Sequence, residues 1–298
     1  MRTRPEALTR QLRQIGSRWQ QDIRKAGDET KALYLPLLAQ APKAGIEVAA
    51  NLAYGGHSRQ VLDVYRPAGA QHAPVVLFVH GGAFIRGAKD INAEMYGNVL
   101  TWFARHGCIG VNVEYRLAQD APYPGGTLDV ALAGAWVARH VHTFGGDPRK
   151  VCLIGHSAGG THVASLACDP PPGLAPLDAR CMVLVSARLK ADTLDANPNA
   201  AGVRAYFGDD PARYDACSPL THAARASVPV LVANAEYENP LLDLYGLEFA
   251  LALGRARNAA PLHIAVPDHN HVSIMAHFNT PEQWLGEQIL AFFERSCG

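Results

Sequence analysis

The chain has 298 residues, 48% hydrophobic and 18% charged, a globular composition that one large α/β sheet accommodates without a second domain. Lys plus Arg and Asp plus Glu both number 27, so the formal net charge is zero; this argues against a nucleic-acid or membrane partner held by long-range charge and leaves a homo-oligomer open. No stretch approaches ~18 consecutive apolar residues and the N-terminus has no apolar signal core, so a cytoplasmic location is expected.

Leu8, Leu12, Ile15 and Trp19 recur at spacings of three and four, which predicts one or two helices within residues 6–40. The polar remainder of that stretch makes residues 1–45 a helical cap segment laid over the outside of a single domain spanning 1–298. From Gly45, IEVAANLAY and RQVLDVYRP alternate around Gly55-Gly56 and predict a hairpin. Pro74 opens the apolar run PVVLFV, which fits a strand buried on both faces. Helices over 94–105 and 127–142 then alternate with strands at 108–116 and 150–157, and a small-residue helix starts at Ala158. CMVLVSA, VPVLVANAE and PLHIAVP predict further strands, and 281–294 a closing helix. Strands separated by helices at this spacing build a parallel sheet covered on both faces. Residues 187–226 are rich in Asp, Ala, Asn and Pro, lack a period, and are expected to form part of a lid insertion. The six cysteines, with no CxxC pair, read as reduced, packed thiols.

Gly155-His156-Ser157-Ala158-Gly159 lies directly after a buried strand and directly before a helix. This is the setting in which a tight turn lifts a serine oxygen above the sheet edge, beside a helix N-terminus that favours developing negative charge. Ser157 is therefore the candidate nucleophile. His80-Gly81-Gly82-Ala83-Phe84 ends the PVVLFV strand, and consecutive glycines there leave backbone N–H groups unobstructed. Gly82 and Ala83, with Ala158, are the candidate oxyanion donors. Phe84 and His156 are candidate substrate contacts. A histidine base is needed downstream. His263 lies within the last strand and His277 well past the turn, so His269 and His271 compete. The acid belongs after VPVLVANAE, where Glu236, Glu238 and Asp243 are the candidates. A metal reading of His269-x-His271 lacks further ligands, so no metal and no other cofactor is expected.

HGGAF followed by GHSAGG, with VNVEYRLAQDAPYPGGTLDV and SPLTHA, resembles the esterases related to hormone-sensitive lipase, and equally the feruloyl-esterase-like and kynurenine-formamidase-like carboxylesterases. The resemblance covers roughly 60–298. Ala83 stands where the third glycine is usual, and His156 where the lipase branch commonly has an acid. The resemblance implies an α/β-hydrolase fold, with a mostly parallel eight-stranded sheet flanked by helices. It implies a serine carboxylesterase acting on a small-molecule acyl or aryl ester through an acyl-enzyme. Trp19, Leu35 and Leu38 of the cap segment are expected to close the pocket with apolar side chains, so that short to medium acyl groups are preferred over long-chain fats. The alternatives are an aryl formamidase with the same triad and a non-catalytic binding protein on this scaffold. The family's histidine precedes an aromatic or branched residue, which favours His271-Val272, and its acid precedes Pro-Leu, which favours Glu238. Asp129, Tyr115 and Arg116 also match family positions and are expected to brace loops.

Overall fold

The computed structural model describes residues 4–174 and 177–298, so residues 1–3 of the expected cap segment lie outside the described residues. In chain order the elements are α1 (Glu6–Gly16), α2 (Ile23–Ala39), β1 (Ile46–Ala53), β2 (Val61–Pro67), β3 (Ala73–Val79), α3 (Gly97–Arg105), β4 (Ile109–Val113), α4 (Gly125–His140), β5 (Gly146–His156), α5 (Ala158–Cys168), β6 (Cys181–Val185), α6 (Ala200–Phe207), α7 (Tyr214–Cys217), β7 (Val230–Tyr237), α8 (Leu242–Arg257), β8 (Leu262–Asn270), α9 (Ser273–Ala276) and α10 (Trp284–Cys297).

One eight-stranded sheet runs in the order β1-β2-β4-β3-β5-β6-β7-β8. β1, β2 and β4 pair antiparallel, and every pairing from β4 through β3 to β8 is parallel. The period of two along each strand divides its side chains between two cores. Val75, Leu77 and Val79 of β3 enter a core with α4, α5 and α8, together with Val151 and Leu153 of β5. Val76, Phe78, Cys152 and Ile154 enter the opposite core with α3 and α10. Both faces are thus covered, which is why these strands read as continuous apolar runs rather than as alternating ones.

α1 and α2 complete the second core from outside. Leu12, Tyr34 and Leu38 join it, while Ile15, Trp19 and Ala26 form a small cluster of their own. Asp22 starts α2 by accepting the N–H groups of Arg24 at 3.1 Å and Lys25 at 3.0 Å. Residues 187–226 form short pieces: α6, α7 and two 3-10 turns, Pro211–Arg213 and Pro219–Arg225. Val203, Tyr206, Phe207 and Tyr214 from this segment pack on Phe84 and Ala158 as a third cluster. All six cysteines are free thiols, five of them buried. Among the described residues no helix is long and apolar enough to cross a membrane.

Candidate active site

The parallel strands end on one side of the sheet, and the chemistry-bearing residues follow those ends. β5 stops at His156 and α5 starts at Ala158, leaving Ser157 alone in the turn at φ 54° and ψ −120°. That is a rare conformation for a residue with a side chain, and it is held by the packing around it. A Cβ on Gly159 would sit 2.2 Å from the carbonyl oxygen of Val79, so only glycine lets α5 approach β3 this closely.

β7 ends at Tyr237 and carries the chain to Glu238, while β8 ends at Asn270, just before His271. The imidazole of His271 lies between its two neighbours. Its Nε2 is 3.0 Å from Ser157 Oγ, and its Nδ1 hydrogen-bonds Glu238 Oε1. Glu238 is 3% exposed, and the same Oε1 accepts the N–H of Asn239 at 2.8 Å. The other acid candidates go elsewhere. Pairing of β7 with β8 is irregular between Ala235 and Tyr237, and Glu236 Oε2 accepts the Asp268 N–H at 2.6 Å. Asp243 lies in the first turn of α8, where its Oδ1 accepts the Leu244 N–H at 2.8 Å.

His269 is fully buried away from Ser157. Its Nδ1 lies 3.0 Å from Ser273 Oγ, and its Nε2 3.1 Å from Glu282 Oε1. His277 packs on its ring, with centroids 4.6 Å apart. Burial opposes ionisation of Glu282, but the hydrogen bond from His269 and the charges of His277, His269 and Arg4 outweigh it and hold the carboxyl down to about 2. This network ties the N-terminus to the end of β8, since Arg4 also donates to Asp268 at 3.1 Å.

After β3 the chain turns sharply through Gly82 at φ 148°, Ala83 at φ 50° and Phe84 at φ 69°. A Cβ on Gly82 would lie 1.8 Å from the Arg86 carbonyl oxygen, which requires glycine there. Among the described residues the N–H groups of Gly82, Ala83 and Ala158 donate to no backbone carbonyl outside helices and strands. Gly82 and Ala83 line the same cavity as Ser157, whereas Ala158 is buried beside it at the N-terminus of α5. The turn is braced from behind. Tyr115 Oη donates to the His80 carbonyl at 3.1 Å, and Asp129 accepts the Arg116 N–H at 2.8 Å and its guanidinium at 2.7 Å.

The cavity over Ser157 has a volume of about 580 Å³. Its lining comes from the glycine turn after β3 and the stretch beyond it, with Ile85, Arg86 and Tyr96, and from the helical segment before the sheet, with Trp19, Ile23, Arg24 and Gly27. Trp19 is fixed by its Nε1–H, which donates to Asn239 Oδ1 at 3.0 Å. Three expectations are corrected here. Phe84 is not on the cavity wall: it is 1% exposed and stacks on Tyr206 at 4.7 Å, and Ile85 takes the wall position. Residues 187–226 contribute only Asn199 to the wall, because their apolar side chains turn into the third core. Leu35 is exposed and Leu38 buried, so of the apolar cap residues singled out only Trp19 reaches the cavity.

His156 does touch the cavity, but both its ring nitrogens are occupied. Nε2 is 3.0 Å from the His271 carbonyl oxygen and Nδ1 is 3.1 Å from Tyr96 Oη. A carbonyl only accepts, so Nε2 carries the hydrogen and Nδ1 accepts from Tyr96. Burial, and then the charge of His271, push the His156 pKa well below the usual histidine value and keep the ring neutral. Tyr96, Arg86 and Arg24 were missed from sequence. Nothing local marks a tyrosine at the start of a helix, or an arginine in a loop or on a polar helix, as facing a cavity. Among the described residues no group of three or more His, Cys, Asp or Glu is placed to hold a metal.

The BD-FAE family model matches residues 62–170, the stretch from β2 through α5. The esterase LipC of Mycobacterium tuberculosis is 38% identical over 116 residues, covering 38% of this chain and 28% of LipC. The esterase LipQ of the same organism is 25% identical over 271 residues, covering 85% of this chain and 63% of LipQ. The chain thus spans less than two thirds of either relative. Among solved structures, esterase B of Lactobacillus rhamnosis inhibited by a tributyrin phosphonate superposes with a TM-score of 0.75 at 19% identity, covering 99% of this chain and 97% of that one.

Proposed function

This chain has the α/β-hydrolase fold, and we propose that it is a serine carboxylesterase that hydrolyses small esters through Ser157, His271 and Glu238. One observation carries the reading: His271 Nε2 stands 3.0 Å from Ser157 Oγ while its other ring nitrogen is held by the buried Glu238. That is the hydrogen-bond chain by which a base activates a serine hydroxyl. The similarity to LipC and LipQ, both esterases, supports the same chemistry.

His271 takes the hydroxyl proton as Ser157 Oγ attacks the ester carbonyl carbon. The carbonyl oxygen becomes an oxyanion and is held by the N–H groups of Gly82, Ala83 and Ala158. His271 returns the proton to the departing alkoxide, which leaves as the alcohol, and an acyl-Ser157 ester remains. Water, deprotonated by His271, attacks that ester, and the acid and free Ser157 are released. Glu238 orients the ring and stabilises its protonated form, and the chain's own groups account for every proton moved.

α1 and α2 act as a cap over the site, with Trp19 and Ile23 forming its apolar ceiling. A cavity of about 580 Å³ suits short to medium acyl groups and aryl alcohols rather than long-chain fats. Hydrolysis of 4-nitrophenyl butyrate tests the reading: turnover by the wild type that Ser157→Ala abolishes supports it. Turnover of formanilides in place of esters would move the enzyme to the formamidase alternative, and turnover of neither would leave only a binding role.

A further inference from the structure

The lining of the cavity is cationic although the whole chain is neutral. Arg24, Lys31 and Arg86 line it against a single carboxylate on its wall, Asp28. Asp28 is taken by Lys31 at 2.6 Å, and Glu238 below is engaged with His271. Arg24 and Arg86 therefore have no carboxylate partner among the described residues.

Arg86 is built into the oxyanion turn. Its N–H donates to the Gly82 carbonyl at 3.1 Å, so its backbone position is set by the same glycine that offers an oxyanion donor. Its Nη2 donates to Asn199 Oδ1 at 2.9 Å, and Asn199 is 8% exposed, with its own N–H donating to Asn197 Oδ1 at 2.9 Å. A buried neutral amide thus aims the guanidinium without neutralising it. Arg24 reaches the same space from α2. Burial, and then the charge of Arg24, hold the Arg86 pKa below the usual arginine value, which places the two like charges within electrostatic reach. Two unpaired guanidinium groups facing one cavity repel each other, and an anion between them relieves that repulsion. A carboxylate fits best, because the planar donor fork of arginine matches its two oxygens.

We propose that Arg24 and Arg86 form an anion subsite and that the substrate is an ester carrying a carboxylate a few bonds from its scissile carbonyl. This deepens the esterase reading and rests on it. The carboxylate sits on either the acyl or the alcohol part, and the test separates the two.

The experiment compares kcat/KM within matched pairs. On the acyl side, mono-4-nitrophenyl glutarate is paired with 4-nitrophenyl butyrate. On the alcohol side, 4-butyryloxybenzoate is paired with its methyl ester. The anionic member of one pair should be favoured about tenfold, the order expected of a charge-assisted contact. Arg24→Gln/Arg86→Gln should bring that ratio close to one, Arg86→Glu should invert it, and high salt should shrink it in the wild type. Ratios within one protein cancel losses of folded enzyme. Wild-type ratios at or below one in both pairs overturn the subsite while leaving the esterase standing, and so does a preference that the double variant keeps. If no ester is turned over, the esterase reading fails, and calorimetric titration with monoethyl glutarate decides the subsite. Saturable binding that Arg24→Gln/Arg86→Gln weakens upholds it, and no binding overturns it.

Discussion

His156 Nε2 lies 3.0 Å from the carbonyl oxygen of His271, so the residue directly before the serine holds the backbone of the histidine that faces the serine. The bond joins the end of β5 to the turn after β8 and sets the distance between Ser157 and His271. Its donor stays neutral because burial disfavours charge on the His156 ring.

Loss of this bond should loosen His271 rather than empty the cavity. His156→Ala is expected to lower kcat about 10- to 100-fold with little change in KM, and His156→Gln, which keeps a donor, should recover part of the loss. Steady-state kinetics on 4-nitrophenyl butyrate check this, and equal losses in both variants would contradict it.

The acid assignment separates three carboxylates. Glu238→Gln removes the negative partner of His271 and should cut kcat by about 10³-fold or more, while Asp243→Asn and Glu236→Gln should leave kcat within about twofold. A large loss in Asp243→Asn would move the assignment.

Trp19 closes the cavity from the helical segment, and its Nε1–H ties that segment to the loop bearing Glu238. Trp19→Ala should shift the preferred acyl length upward in a series of 4-nitrophenyl esters and cost about 3 kcal/mol of stability or more. An unchanged chain-length profile would show that the helices pack without shaping the pocket.

Burial lowers the pKa values of His162 and His277 to about 3, so both rings are neutral in the folded protein. In the unfolded chain they titrate near ~6.5 and bind more protons. Their neutral burial costs no stability above that value, and stability falls as the pH drops from there towards about 3. At about pH 5 each should cost about 2 kcal/mol relative to pH 7. Urea unfolding at the two pH values checks this, and His162→Phe should reduce the difference by about 2 kcal/mol, leaving the part due to His277.

Strands buried on both faces announce themselves, which is why PVVLFV and KVCLIG were legible as β3 and β5. The turn around Ser157 was legible because tight strand-to-helix geometry demands glycine at a fixed spacing. Glu236 and Glu238 share strand parity, so alternation alone could not choose between them. The irregular pairing after Ala235, which sends Glu236 to Asp268 and brings Glu238 to His271, depends on tertiary contacts. Phe84 misled because a side chain just past a glycine turn can point either way, and its stacking partner Tyr206 lies far along the chain. The segment 187–226 showed no period because its helical pieces are too short to express one.

In the proposed mechanism Ser157 Oγ is the atom that attacks. Peptide mass mapping after treatment with diethyl 4-nitrophenyl phosphate, an ester mimic that serine nucleophiles displace, tests it most directly. One diethylphosphoryl adduct per chain is expected, on Ser157, with activity lost in proportion to labelling and no adduct in Ser157→Ala. Labelling at another residue, or full inhibition with Ser157 unmodified, would contradict it.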